Sequence, residues 1–211
     1  MIEEKYMKQT FLVIIVVIAI VFFIGILLGK HIESKEQEEI ARFIKNLELN
    51  TESFLVEQEL LGASEDCSLS EERINSLSSE LYNLGIMLSE PTSESNLGKD
   101  NYKLLKKKFH LMQIRTYLLY NQFKKNCKSD EHVILFYYGK NNPDSKEQGK
   151  ILDEIGKIYP VNVFALEFNY TKELTFLEDY YGISEPPAIV IDYDDVNKGL
   201  ASYEKIANTV S

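Results

Sequence analysis

The chain has 211 residues, a formal net charge of −10 at pH 7 and a hydrophobic fraction of 45%. This length allows one or two small domains. The acidic balance argues against a nucleic-acid partner, because phosphate binding is driven by Lys and Arg. The basic run at Lys103–Lys108 lies within a helical pattern and is typical of a solvated helix face.

A membrane-spanning helix is predicted directly after a short N-terminal tail, residues 1–9. Residues 10–29 (TFLVIIVVIAIVFFIGILLG) carry no charge and are long enough to cross a bilayer as a helix. No small-residue cleavage site follows them, which favours a retained anchor over a cleaved signal peptide. The segment is apolar on every face, which argues against a core helix of a globular domain. We therefore expect the lipid bilayer to be one partner.

The charges around this span leave its orientation open. Lys5 and Lys8 precede the span and four basic residues follow it closely, which mildly favours a cytoplasmic C-terminal side. The short tail, the early span and two cysteines in an acidic soluble portion favour the opposite orientation, because disulfides form in oxidising compartments. We expect a single-pass protein whose C-terminal domain is extracytoplasmic.

Three helical patterns occupy a predicted helical region, residues 30–130. Apolar residues recur at spacings of three and four within 34–62, 70–89 and 101–125, and Ser70 is a candidate N-cap of the second helix. Pro, Ser and Gly in residues 90–100 predict a break. No pattern can bury its apolar stripe alone, so we expect a helical hairpin or bundle.

The two cysteines flank the second and third helical patterns. Cys67 precedes the second pattern and Cys127 follows the third, so antiparallel helices would place both at the same end. We expect a Cys67–Cys127 disulfide if the domain is extracytoplasmic. Two free thiols are the alternative if it is cytosolic.

The C-terminal part, residues 131–211, predicts a β-α-β-α-β-β-α order. A buried strand begins at His132, a helix at Asp144 and an alternating strand at Val161. A short helix ends at Gly182, and two strands and a final helix follow. The short fourth strand is expected near residues 196–201.

This order resembles a minimal thioredoxin-like domain, on two residue patterns. "ILFYYGKNNPDSKEQGKILDEIGKIY" is similar to that family's first strand, redox turn and helix. It places Asn142 and Ser145 where the two redox cysteines would stand. "YGISEPPAIVI" is similar to the family's Gly, short link and cis proline before the third strand, with Pro187 at the cis position. A trans Pro-Pro at the entrance of an edge strand is the alternative.

Three departures from the family pattern bear on function. Thiol–disulfide exchange needs a thiolate, and the turn Asn142-Pro143-Asp144-Ser145 supplies none. The family's buried carboxylate aligns with Phe136, and the residue before the cis proline is Pro186, which lacks an N–H. The resemblance therefore implies a redox-inactive thioredoxin-like fold, and we do not expect an enzyme.

Other chemistry has weak signals in the sequence. No His/Cys/Asp spacing for zinc and no phosphate-binding glycine loop is present, so no metal or small-molecule cofactor is expected. Aspartates 192, 194 and 195 are typical of a solvated turn, with a weak cation site as the alternative. Asn169-Tyr170-Thr171 fits a glycosylation acceptor, although such tripeptides often occur by chance.

The expected function is a membrane-anchored, redox-inactive scaffold or interaction module that binds a protein partner. The alternative is a membrane-tethered thiol oxidoreductase that uses Cys67 and Cys127, the only sulfur nucleophiles, in place of the usual pair.

Overall fold

A computed structural model of the chain describes residues 67–211, together with the single positions 22 and 45. The predicted N-terminal tail, the membrane span at 10–29 and the helical pattern at 34–62 lie outside the described residues, apart from those two positions. Within residues 67–211, no helix combines the length and the apolar character needed to cross a membrane.

Three helices precede the sheet. They are α1 (Cys67–Ser89), α2 (Ser93–Leu97) and α3 (Lys99–Cys127). Helix α1 already includes Cys67, so the prediction that Ser70 caps it was wrong: Ser70 lies inside the helix, whose first described residue is held by a disulfide. Helix α2 occupies the predicted break, where the Ser93 hydroxyl donates to the Met87 carbonyl.

The order of strands and helices predicted for residues 131–211 is confirmed. The elements are β1 (His132–Tyr138), α4 (Pro143–Ile158), β2 (Val161–Glu167), a 3-10 turn (Lys172–Leu174), α5 (Phe176–Tyr181), β3 (Ala188–Ile191), β4 (Asp195–Lys198) and α6 (Tyr203–Val210). Gly182 ends α5 in the left-handed conformation (φ 62°) that favours glycine, as the sequence predicts.

The four strands form one mixed sheet in the order β2-β1-β3-β4. Strand β1 is central: it pairs in parallel with β2 and antiparallel with β3, and β4 pairs antiparallel with β3. Residues Val133 to Tyr137 are all buried, because β1 is covered on both faces. This explains why its sequence is a continuous apolar run and does not alternate.

Helices cover the two faces of the sheet. On one face, Ile134 and Ile189 pack with Leu152 of α4 and Ile206 of α6 in the main apolar cluster. On the other face, α3 packs on β2 and β1, and the ring of Tyr117 lies edge-on to that of Phe164. Residues 67–211 all belong to one compact unit.

Candidate functional site

The turn between β1 and α4 is held closed by the side chain of Asn142. Its Oδ1 accepts a hydrogen bond from the Ser145 N–H at 2.8 Å, which caps the helix, and Pro143 occupies the first helical position. Its Nδ2 donates to the Pro186 carbonyl at 3.1 Å. The one backbone group that Pro186 could offer to a bound peptide therefore already has an intramolecular partner.

The second position of interest, Ser145, points inward. Its side chain is buried, and its Oγ accepts a hydrogen bond from the Gly139 N–H at 3.0 Å. Gly139 itself lies tight against the proline segment, since a Cβ added there would be 3.0 Å from both Pro186 Cγ and Asn142 Cβ. The turn is thus packed directly onto the segment that precedes β3.

That segment contains the residue for which the sequence suggested a cis bond. The peptide bond between Pro186 and Pro187 is cis. The Pro187 carbonyl accepts from the Gly199 N–H at 2.8 Å, which ties the start of β3 to the end of β4. The structure therefore brings Asn142, Ser145 and Pro186 together beyond the C-terminal end of β1, with hydrogen bonds from Asn142 to both of the other residues.

The predicted Cys67–Cys127 disulfide is confirmed, with the Sγ atoms 2.06 Å apart. It joins the first described residue of α1 to the last residue of α3, shortly before β1 begins. The turn at Asn142 and Ser145 follows the other end of β1. The seven residues of β1 span roughly 20 Å, so the disulfide and the turn lie at opposite ends of this strand. Because the chain has only these two cysteines, no thiol is available at the turn.

A groove of about 560 Å³ lies between α3, α5 and the turn that joins β3 to β4; we call it the aromatic groove. It is lined by Leu118, Asn121, Lys124, Lys125, Phe176, Leu177, Tyr180, Tyr181, Asp192, Tyr193 and Asp194. Phe176 is 49% exposed and Tyr180 is 77% exposed, so two large aromatic side chains border it without cover.

Two tyrosines that line the groove, Tyr181 and Tyr193, bond to the buried Tyr117. The hydroxyls of Tyr117 and Tyr181 are 2.7 Å apart, and the Tyr193 hydroxyl donates to the Tyr117 carbonyl at 3.0 Å. The rings of Tyr117 and Tyr193 have centroids 4.6 Å apart. Burial raises the pKa of all three tyrosines above its ordinary value, so the three hydroxyls stay protonated and uncharged.

One wall of the groove is fixed by the carboxylate of Asp192. Its Oδ1 accepts from Lys124 Nζ at 2.8 Å and from the Val133 N–H at 3.1 Å, and its Oδ2 lies 2.6 Å from His132 Nδ1. Burial acts to raise the pKa of Asp192. The hydrogen bonds from Lys124, Val133 and His132 outweigh burial, and the net pKa is lowered.

The backbone of this wall is in a conformation that its residues rarely adopt. Asp192 (φ 46°) and Tyr193 (φ 74°) are both left-handed, as the central residues of a tight hairpin turn require, yet neither is glycine. Such strain persists only where surrounding contacts hold it. Here the contacts are the hydrogen bonds of the Asp192 carboxylate and the packing of Tyr193 on Tyr117, which dock the turn onto α3.

Sequence reasoning did not find the aromatic groove. Its residues come from three segments that only the folded chain brings together, and a tyrosine pair such as Tyr180-Tyr181 is equally typical of an exposed helix end. The sequence predicts a solvated turn for Asp192, Asp194 and Asp195. Asp194 and Asp195 are exposed, whereas Asp192 is engaged with α3 and β1.

Comparison with known proteins adds no relative to this description. No model of a protein family matches the chain, and a comparison with curated proteins gives no match either.

Proposed function

We propose that the protein is a membrane-anchored, redox-inactive thioredoxin-like module that binds a protein partner on its extracytoplasmic side. The observation that carries the proposal is the closed turn: Asn142 caps α4 and occupies the Pro186 carbonyl, at the place where the resemblance puts a reactive dithiol. Because the Asn142 and Ser145 side chains are both bonded within the turn and its neighbouring segment, they support a structural role there and not a catalytic one.

The topology supports the same proposal. A central β1 flanked by a parallel β2 and an antiparallel β3, with helices on both faces, accommodates the strand, turn and helix pattern quoted for the family. The additional helices α1 and α3 are joined to this sheet by α3 contacts and by the short connection from Cys127 to His132. We propose that they position the domain on its anchor.

The aromatic groove is the surface that we assign to the partner. Its exposed rings offer apolar area, and the ammonium of Lys125 and the carboxylate of Asp194 stand at its rim with opposite charges. These features suit an extended peptide segment of a partner protein that inserts an apolar side chain between Phe176 and Tyr180.

Reduction of insulin disulfides by the purified full-length protein tests the loss of redox function. We expect no turnover above the buffer control with dithiothreitol as electron donor, because no thiol stands at the turn. Turnover that disappears in Cys67→Ser would instead support the alternative thiol oxidoreductase and would refute this proposal.

Photo-crosslinking from the groove tests the binding role. A photoreactive residue in place of Tyr180 should give one discrete adduct in the native membrane, and the same residue in place of Lys157, exposed on α4, should not. The adduct should weaken when Phe176→Ala is added, since that change removes the neighbouring ring. Equal labelling from both positions would argue against the groove as the contact surface.

A further inference from the structure

Residues Asn169-Tyr170-Thr171 form the one place in the 211-residue sequence where Asn is followed by a residue other than Pro and then by Ser or Thr. The tripeptide alone is a weak signal. Its position in the folded chain and the state of the cysteines add two independent observations.

The acceptor residue is presented outward on a turn directly after β2. Asn169 is exposed and left-handed (φ 52°), a conformation that asparagine tolerates better than most residues. Its backbone N–H donates to Glu178 Oε1 at 2.9 Å, whereas its side-chain amide makes no hydrogen bond to any residue of the described range 67–211. The amide nitrogen is therefore accessible without breaking a contact.

The middle residue fixes the turn in this orientation. The Tyr170 hydroxyl donates to the Lys103 carbonyl at 3.2 Å, and the Tyr170 ring lies edge-on to His110 with centroids 5.0 Å apart. The Lys106 ammonium stands over the same ring, 5.1 Å from its centroid. Because Tyr170 is held against α3, its neighbour Asn169 faces solvent.

The second independent observation is the oxidised pair of cysteines. Cys67 and Cys127 are bonded to each other, and the chain contains no other cysteine. Disulfides persist in oxidising compartments, and the endoplasmic-reticulum lumen, where proteins are N-glycosylated, is one of them. This step rests on the extracytoplasmic placement in the proposed function.

We propose that Asn169 is an N-glycosylation site. In the reaction a bond forms between Asn169 Nδ2 and the anomeric carbon of a lipid-diphosphate-linked oligosaccharide. The bond from that carbon to the phosphate oxygen breaks, and the lipid diphosphate leaves. The amide nitrogen loses one proton to solvent, the bonding electron pair of the broken bond stays on the lipid diphosphate, and no atom is oxidised or reduced.

The site has a consequence for the surface of the domain. Strands β1 and β2 are parallel, so the turn at Asn169 and the turn at Asn142 lie at the same edge of the sheet. The Asp192 wall of the aromatic groove instead contacts the beginning of β1. A glycan on Asn169 covers the edge with the closed turn and leaves the Asp192 wall uncovered.

Translation of the full chain in the presence of endoplasmic-reticulum microsomes tests the proposal. We expect a single mass increase that peptide N-glycosidase removes. Asn169→Gln and Thr171→Ala should abolish the shift, and Thr171→Ser should retain it, because serine also completes the acceptor pattern. Thr171→Ala keeps Asn169 itself and so guards against an effect of Asn169→Gln on the strained turn.

Protease protection in the same preparation separates the possible failures. A C-terminal domain that is protected but unmodified overturns the glycosylation site and leaves the proposed orientation standing. A domain that is digested and unmodified overturns both. A shift that persists in Asn169→Gln also overturns the assignment. The insulin and crosslinking experiments address redox inactivity and the groove independently of either result.

Discussion

The carboxylate of Asp192 joins three parts of the chain: the β3–β4 turn, the C-terminal half of α3 and the start of β1. Its side chain is 27% exposed, so its partners are only partly screened by solvent. Removing its charge leaves the Lys124 ammonium without this partner and weakens the contact that holds a strained turn in place.

We predict that Asp192→Asn lowers the free energy of unfolding by roughly 1–3 kcal/mol, the range for loss of charged hydrogen bonds at a partly buried site. Urea denaturation of the full-length protein measures it. Asp194→Asn is the matched control, since Asp194 is exposed in the same turn, and should change stability by less than about 0.5 kcal/mol. Equal effects of the two variants would contradict the assigned role of Asp192.

The lowered pKa of Asp192 also sets the sign of a pH effect. A carboxyl whose pKa is lower in the folded state contributes stability that is present above its ordinary value of 3.8 and is lost on further acidification. As the pH drops below 3.8, the unfolding free energy of Asp192→Asn should therefore fall less than that of the wild type.

His110 is a buried polar residue on the face of α3 that packs against the turn after β2. Its side chain is 1% exposed, and neither ring nitrogen has a hydrogen-bond partner among residues 67–211. Burial, together with the nearby Lys106 ammonium, lowers the pKa of His110 from 6.5 to about 4. The His110 ring also lies beside the rings of Phe109 and Tyr170, and Lys106 is itself paired with Glu167.

This residue predicts a second pH dependence with a defined sign. The unfolded chain binds the proton at pH 6.5 and the folded chain only at about 4, so stability is full above 6.5 and falls as the pH drops toward 4. The loss attributable to His110 is about 3 kcal/mol. His110→Phe keeps a ring against Tyr170 and cannot titrate. The denaturation midpoint should fall less between pH 7 and pH 4 in this variant than in the wild type. An equal fall in the two proteins would contradict the prediction.

Local residue patterns predicted the ends of elements better than the contacts between them. Gly182 marks a helix end because its backbone preference acts within one turn of the chain, and the helix predicted from Asp144 begins one residue earlier, at Pro143. The roles of Asp192 and His110 depend on residues far away in sequence, and an isolated Asp or His gives no signal of such partners.

At the scale of elements, one side-chain amide of α3 makes two hydrogen bonds to the backbone of β2. Gln113 Nε2 donates to the Ala165 carbonyl at 2.7 Å, and Gln113 Oε1 accepts from the Ala165 N–H at 2.8 Å. The side chain thus pairs with the outer edge of β2 as a neighbouring strand would. It shields part of an edge that could otherwise pair with another chain.

Gln113→Met keeps the length of the side chain and removes both hydrogen bonds. We predict a loss of roughly 2 kcal/mol in unfolding free energy, because the backbone groups of Ala165 lose their partners, together with a greater tendency to aggregate. Denaturant unfolding and light scattering measure the two effects. Gln122→Met, at an exposed position of the same helix, should change neither quantity. If Gln113→Met has the unfolding free energy and light scattering of the wild type, the role of the amide is refuted.

The sequence predicted the existence and order of the elements but not this docking. Apolar periodicity identified α1, α3 and β2, and a continuous apolar run identified β1, which is buried on both faces. It missed α2, a five-residue helix between a Pro and a Gly, because such composition also fits an irregular break. The choice of α3 as the cover of β2 follows from Gln113 and Tyr117, whose inward positions are no different in sequence from other helix positions.

At the scale of the whole molecule, the disulfide closes the helical pair onto the start of the sheet. Its cysteines are 60 residues apart in sequence, and a loop of this size corresponds to roughly 4 kcal/mol in the chain-entropy description. We predict that Cys67→Ser lowers the melting midpoint of the oxidised protein by roughly 10 °C. The double variant with Cys127→Ser should melt at the same temperature as the single one. An unchanged midpoint would show that the bond adds little to the unit.

The disulfide was predicted from sequence because the two helices between the cysteines imply an antiparallel pair with both cysteines at one end. The aromatic groove was not predicted, since its walls come from α3, α5 and a hairpin turn. The membrane span and orientation stay predictions, because residues 10–29 lie outside the described part of the chain.

We propose that the turn lacks thiol chemistry because Asn142 and Ser145 stand where the resemblance places the two redox cysteines. Restoring them tests this most directly: Asn142→Cys with Ser145→Cys places two thiols at the start of α4, where the helix N-terminus lowers thiol pKa values. Insulin reduction by this double variant is the measurement, with Asn142→Cys alone as control. We predict that the double variant forms a disulfide and reduces insulin, whereas the wild type and the control do not. A folded double variant that neither forms the bond nor reduces insulin would contradict the claim.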